Sequence, residues 1–112
     1  MPARREQIEA LLADDPADPF LRYSLALELE KEGRHAESLD LLESLIREDP
    51  PYVPAAFMAG QQLARLGRLE EARAVLRRGI ELARAAGNLH AAGEMSEFLT
   101  SLGQLGEGAD TS

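Results

Sequence analysis

The chain has 112 residues, 45% of them hydrophobic, which suffices for one ordinary domain and not for two. Leucine (19) and alanine (18) dominate the apolar set against five isoleucines and valines together, a bias that favours helices over pleated strands. The absence of cysteine excludes disulfides, thiolate metal sites and cysteine nucleophiles, and a net charge of −8 argues against nucleic acid or anionic membrane as a partner.

The N-terminal stretch MPARREQIEALLADD turns acidic where a signal peptide needs its apolar run, so export is not expected and a cytoplasmic location is. No apolar run approaches the roughly 18–20 residues that span a bilayer. Residues 3–14 read as a first helix with Ile8, Leu11 and Leu12 on one face. A second helix is predicted over 19–32. Leu21, Leu25 and Leu29 recur at i, i+4 and i+8, Asp18 stands as N-cap, and Pro19 occupies the first helical position. Gly33 supplies the stop. The third helix, 35–49, carries Leu39, Leu42, Leu45 and Ile46 and is expected to end at Pro50–Pro51. The pattern then recurs as helices at 54–66 and 69–86, with Gly67 between them. A sixth helix, 89–102, has Asn88 as cap, Ala92, Met95, Leu99 and Leu102 inward, and Gly103 as its stop. Residues 104–112 are expected to form a flexible polar tail.

These elements obey a period. Gly33 and Gly67 are 34 residues apart, as are Pro16 and Pro50. At that offset Ile8 falls on Leu42 and Leu76, Leu12 on Ile46 and Ile80, Leu29 on Leu63, and Glu37 on Glu71. Two full repeats, 19–52 and 53–86, are therefore predicted inside a single domain, 1–103, with a half-repeat helix at each end. Half-repeats at both ends lead to the expectation of a complete array.

The pattern resembles the tetratricopeptide repeat (TPR) family, a 34-residue helix–turn–helix unit. Leu25, Ala26, Leu29, Gly33, Ser38, Leu42 and Pro50 of the first repeat stand at the family's preferred positions, and Ala59, Gly60, Leu63, Gly67, Ala72 and Leu76 do so in the second. The leading tryptophan is replaced by Arg22 and Ala56, and the second terminal proline by Arg84. The resemblance implies an all-α fold, a right-handed superhelix of about six antiparallel helices. It implies a concave groove lined by the first helix of each repeat, and a role as an adaptor holding a peptide or helix of another protein.

No catalytic constellation is legible, so an enzyme is not expected, and neither is a cofactor. His90 and Glu94 share a helix face, but no second histidine completes a metal-ligand pattern. On the face that the core stripe leaves free, the candidate groove residues are Phe20, Tyr23 and Leu27, then Phe57, Gln61 and Arg65, then Glu97. Tyr23, Leu27 and Phe57 would anchor an apolar group and the polar three would set orientation. The alternative is that these aromatics pack on neighbouring helices and only shape the groove. No Lys, Arg or Asn stands where some family members clamp a C-terminal carboxylate.

Charge is unevenly spread, at −7 over residues 1–52, +3 over 53–86 and −4 over 87–112. Arg73, Arg77 and Arg84 fall on one helical stripe and form a possible basic patch for an acidic partner or for the acidic first unit of another copy. Against that stands a plain solvated face, with Glu70 and Glu81 pairing locally. The expected partner is a protein or peptide. The rival reading is a self-associating structural protein, a homodimer burying the groove or an open end.

Overall fold

The computed structural model describes residues 3–110, with side chains described as far as Gly103. Among the described residues it holds six helices and no strand: α1 (Arg4–Asp14), α2 (Pro19–Lys31), α3 (His35–Ile46), α4 (Val53–Arg65), α5 (Leu69–Ala85) and α6 (Leu89–Asp110). The fold is an all-α helical repeat, as the 34-residue period predicts.

Local chemistry sets most boundaries. The Asp18 carboxylate accepts the backbone N–H groups of Phe20 (2.9 Å) and Leu21 (3.2 Å), two of the four donors a helix start leaves orphaned. The Asn88 side chain caps α6 in the same way, accepting from Ala91 N–H at 3.1 Å. Hairpins turn at Gly33 and Gly67, whose φ values of 80° and 78° suit a residue without a Cβ. At each turn the next N–H closes back across the helix end, Arg34 to the Leu29 carbonyl (2.9 Å) and Arg68 to the Leu63 carbonyl (2.8 Å).

Two ends differ from the expectation. α3 stops at Ile46, three residues before Asp49, because the chain folds back and Tyr52 N–H donates to the Leu45 carbonyl at 3.0 Å. The Pro50–Pro51 pair bars Asp49 from helical geometry. At the other end α6 does not stop at Gly103: the helix continues to Asp110, over most of the stretch expected as a tail. Gly103 does not adopt a positive φ, and a lone glycine weakens a helix by only about 1 kcal/mol relative to alanine. Residues 111–112 lie outside the described residues.

The chain divides into two compact units, Met1–Ala55 and Ala56–Ser112. In the first, α1 packs on α2 and α2 on α3 around Ile8, Ala26, Leu29, Leu42, Leu45 and Ile46, all buried. Leu11, expected on the inward face of α1, is 55% exposed; Leu12 is half-buried. In the second unit the core is Ala59, Leu63, Ala72, Val75, Leu76, Ile80, Ala92, Met95 and Leu102, with Leu99 half-buried. Two glycines in this core mark close approaches. A Cβ on Gly60 would lie 2.6 Å from Leu76 Cδ2, and one on Gly79 would lie 2.7 Å from both Ala56 Cβ and Met95 Sδ.

Candidate functional site

The second unit carries an apolar cleft of about 320 Å³. Gln61, Ala64 and Arg65 line it from α4, where i, i+3 and i+4 spacing puts three side chains on one face. Leu69 closes it from the first turn of α5, and Phe98 and Leu102, again four apart, come from α6. Phe57, one turn before Gln61, tilts its ring against Phe98 at 5.9 Å between centroids. Arg73 supports this arrangement from below: it pairs with Glu70 and donates to the Leu102 carbonyl at 3.2 Å, tying α5 to the wall of the cleft.

The first unit places its candidates differently. Tyr23 is half-buried and packs its ring at a tilt against Tyr52, with centroids 5.4 Å apart. Burial pushes both phenols above their ordinary pKa, because the phenolate would lose water; Tyr52 adds to this at Tyr23, and the Asp18 charge adds to it at Tyr52. Leu27 is half-buried. Phe20, on the first turn of α2, is 62% exposed. A smaller hollow of about 260 Å³ lies where the Glu48–Tyr52 connection meets the start of α2. There Arg22 pairs with Glu48 and donates to Ser44 Oγ at 2.9 Å.

The candidates thus fall into separate groups. Gln61 and Arg65 meet in one cleft, and Phe57 borders it through Phe98. Phe20, Tyr23 and Leu27 belong to the first unit. Glu97 is exposed on α6 and does not line the cleft. Tyr23 and Phe57 each pack on an intramolecular aromatic partner, Tyr52 and Phe98. The Arg73 guanidinium pairs with Glu70, the local pairing weighed against a basic patch, and also donates to the Leu102 carbonyl, whereas Arg77 and Arg84 are exposed. His90 and Glu94 form a surface pair at 3.2 Å. Sequence reasoning missed Phe98, Leu69 and Leu102 as cleft residues. The signal available was the i, i+4 spacing of Phe98 and Leu102, one of which had been assigned wholly to the core.

Helical hairpins of one repeating length, joined by left-handed glycine turns, define a helical-repeat protein. Residues 29–92 match the profile of the tetratricopeptide repeat, more than half of the sequence, and the chain belongs to the tetratricopeptide repeat family. It is similar to a tetratricopeptide repeat domain protein from Salinibacter ruber. The solution structure of that domain is 34% identical, with a TM-score of 0.72 over 78% of this chain and 88% of that one. Its crystal structure gives a TM-score of 0.70 over 79% and 98%. A protein from Bordetella parapertussis, 27% identical, superposes with a TM-score of 0.78 over 93% of this chain and 90% of its own. The cytochrome c-type biogenesis protein CycH of Rhizobium meliloti (strain 1021) is 37% identical over 59 residues, 53% of this chain but only 16% of that protein. Domains of this family are generally protein-interaction modules. No helix among the described residues is long and apolar enough to cross a membrane.

Proposed function

We propose that the protein is a non-enzymatic adaptor that holds a peptide or helix of a partner protein, and that the cleft of the second unit is where the partner docks. The observation that carries this reading is the cleft itself, with an apolar floor of Ala64, Leu69, Phe98 and Leu102 and two polar side chains, Gln61 and Arg65, at its rim. Such a surface matches an apolar anchor with a polar flank. Phe57 backs the wall by packing its ring at a tilt against Phe98. Phe20, Tyr23, Leu27 and Glu97 remain candidates for secondary contacts in this reading, and Arg77 and Arg84 for a basic surface outside the cleft. Neither cofactor nor metal enters the reading, and its setting is the cytoplasm, which cell fractionation checks. The likeness to CycH is confined to a short segment of that protein and assigns no pathway.

Selection of a random peptide display library on immobilised protein tests the reading. Peptides with an apolar anchor should be enriched, and Ala64→Asp, with helicity unchanged by circular dichroism, should lose their capture. Failure to enrich any sequence, or capture indifferent to Ala64→Asp, would overturn it.

A further inference from the structure

We propose that the cleft of the second unit takes the acidic Phe20 corner of another copy, so that chains join head to tail. This rests on the cleft being a docking site and names its occupant.

The donor half is the α1–α2 corner. Of the five aromatic residues in the sequence, Tyr23 and Tyr52 pack on each other, as do Phe57 and Phe98, and Phe20 alone is prominently exposed. Its backbone is held in place. Pro19 fixes the preceding φ, and the Asp18 carboxylate grips Phe20 N–H at 2.9 Å. With the backbone fixed, only the two side-chain torsions of Phe20 are left to settle on docking. Leu11, near the end of α1, is also exposed, as are Asp14 and Asp15 where α1 gives way to the connection to α2. The corner is therefore an apolar anchor set among carboxylates.

The acceptor half has the complementary character. Its floor is apolar, with room for an aromatic ring, and Arg65 stands exposed at its rim. Residues 53–86, which supply four of the six lining residues, carry +3 against −7 over residues 1–52, while residues 87–112, which supply Phe98 and Leu102, carry −4. Opposite charge on the segment that supplies Arg65 and on the segment that supplies the Phe20 corner favours contact between these unlike surfaces of two copies. Such a contact is heterologous, because it joins two different surfaces of the two copies.

Sedimentation equilibrium on purified full-length chain tests the inference. At low ionic strength and on the order of 1 mM chain, the weight-average mass should rise above the 12.2 kDa of one chain. It should fall back in 1 M salt, where charges are screened beyond about 3 Å. Phe20→Ala removes the anchor, and Arg65→Glu reverses the rim charge; both positions are exposed, and circular dichroism confirms folding. Each variant alone should remain monomeric. Their equimolar mixture should associate and stop at a dimer, because one intact corner then meets one intact cleft. A wild type that is monomeric at this concentration overturns the inference, as does association by either variant alone or a mixture that stays monomeric. Peptide capture separates this outcome from failure of the proposed function. A monomeric wild type that still selects apolar peptides leaves the cleft a site for other proteins, whereas loss of peptide capture by Ala64→Asp does not depend on the Phe20 corner.

Discussion

The two hairpins α2–α3 and α4–α5 share a repeat yet close by different chemistry. In the first, Ala26 and Leu42 are both fully buried, and the Ser38 hydroxyl donates to the Ala26 carbonyl at 2.6 Å. In the second, 34 residues on, the equivalents are Gly60, Leu76 and Ala72. Here no hydroxyl is available, and Leu76 presses to where a Cβ would stand. One hairpin adds a buried hydrogen bond across a methyl spacer, and the other removes the spacer and gains van der Waals contact. The first unit also bridges helices at its surface with Arg4–Glu28, Arg5–Glu32 and Arg22–Glu48. A repeat therefore constrains which positions meet and leaves open how the contact is made.

The strongest way to break the comparison is to hollow out what the hairpins share. Leu42→Ala should lower stability by ~2–5 kcal/mol, since the transfer energy is lost and a cavity remains; Leu76→Ala should match it. Urea denaturation measures both, and an unchanged midpoint would contradict the burial of either side chain. Next, Gly60→Ala should destabilise by about 1–2 kcal/mol: crowding against Leu76 outweighs the roughly 1 kcal/mol returned by better helix propensity. Were the second hairpin built like the first, the same substitution would stabilise it. Ser38→Ala should cost about 1 kcal/mol and make the first hairpin resemble the second, again read from the urea midpoint.

The smallest effect is a pH dependence. Both tyrosines lie in the first unit, and burial raises each phenol above the ordinary tyrosine value of about 10. Below pH 10 both folded and unfolded chains keep the protons. Above it the unfolded chain loses them first, so stability falls as pH rises from about 10 through the folded pKa values. Tyr23→Phe/Tyr52→Phe should remove that part of the alkaline loss. A urea midpoint falling equally in the double variant would show that the phenols contribute nothing.

Much of this architecture was legible because it depends on period and punctuation. The Ile8, Leu42, Leu76 series marked three buried positions, Asp18 and Asn88 marked helix starts, and Gly33 and Gly67 marked turns. The end of α3 was less legible: Pro50–Pro51 sets an outer limit, but the stop at Ile46 comes from Tyr52 reaching back to Leu45, a contact with no local signature. Gly103 misled for the complementary reason, since glycine permits a helix end without imposing one. The cleft was half legible. Gln61 and Arg65 follow from the free face of α4, but Phe98 was missed because it sits one residue off the inward stripe of α6. Arg73 looked like part of a charged surface; its long side chain instead reaches a backbone carbonyl 29 residues away, which helical periodicity cannot indicate.

The turns at Gly33 and Gly67 place two points of the backbone in a region that suits the mirror image of the ordinary amino acid. Both residues are exposed, and even an L-methyl would meet no atom within 4 Å, so the penalty for L-alanine there arises from handedness alone. A D-alanine introduced by chemical ligation would find its preferred φ already imposed. It would also restrict the unfolded chain, which glycine leaves at its freest. These two hinges are thus positions where changing chirality, with no new contact, should strengthen the fold.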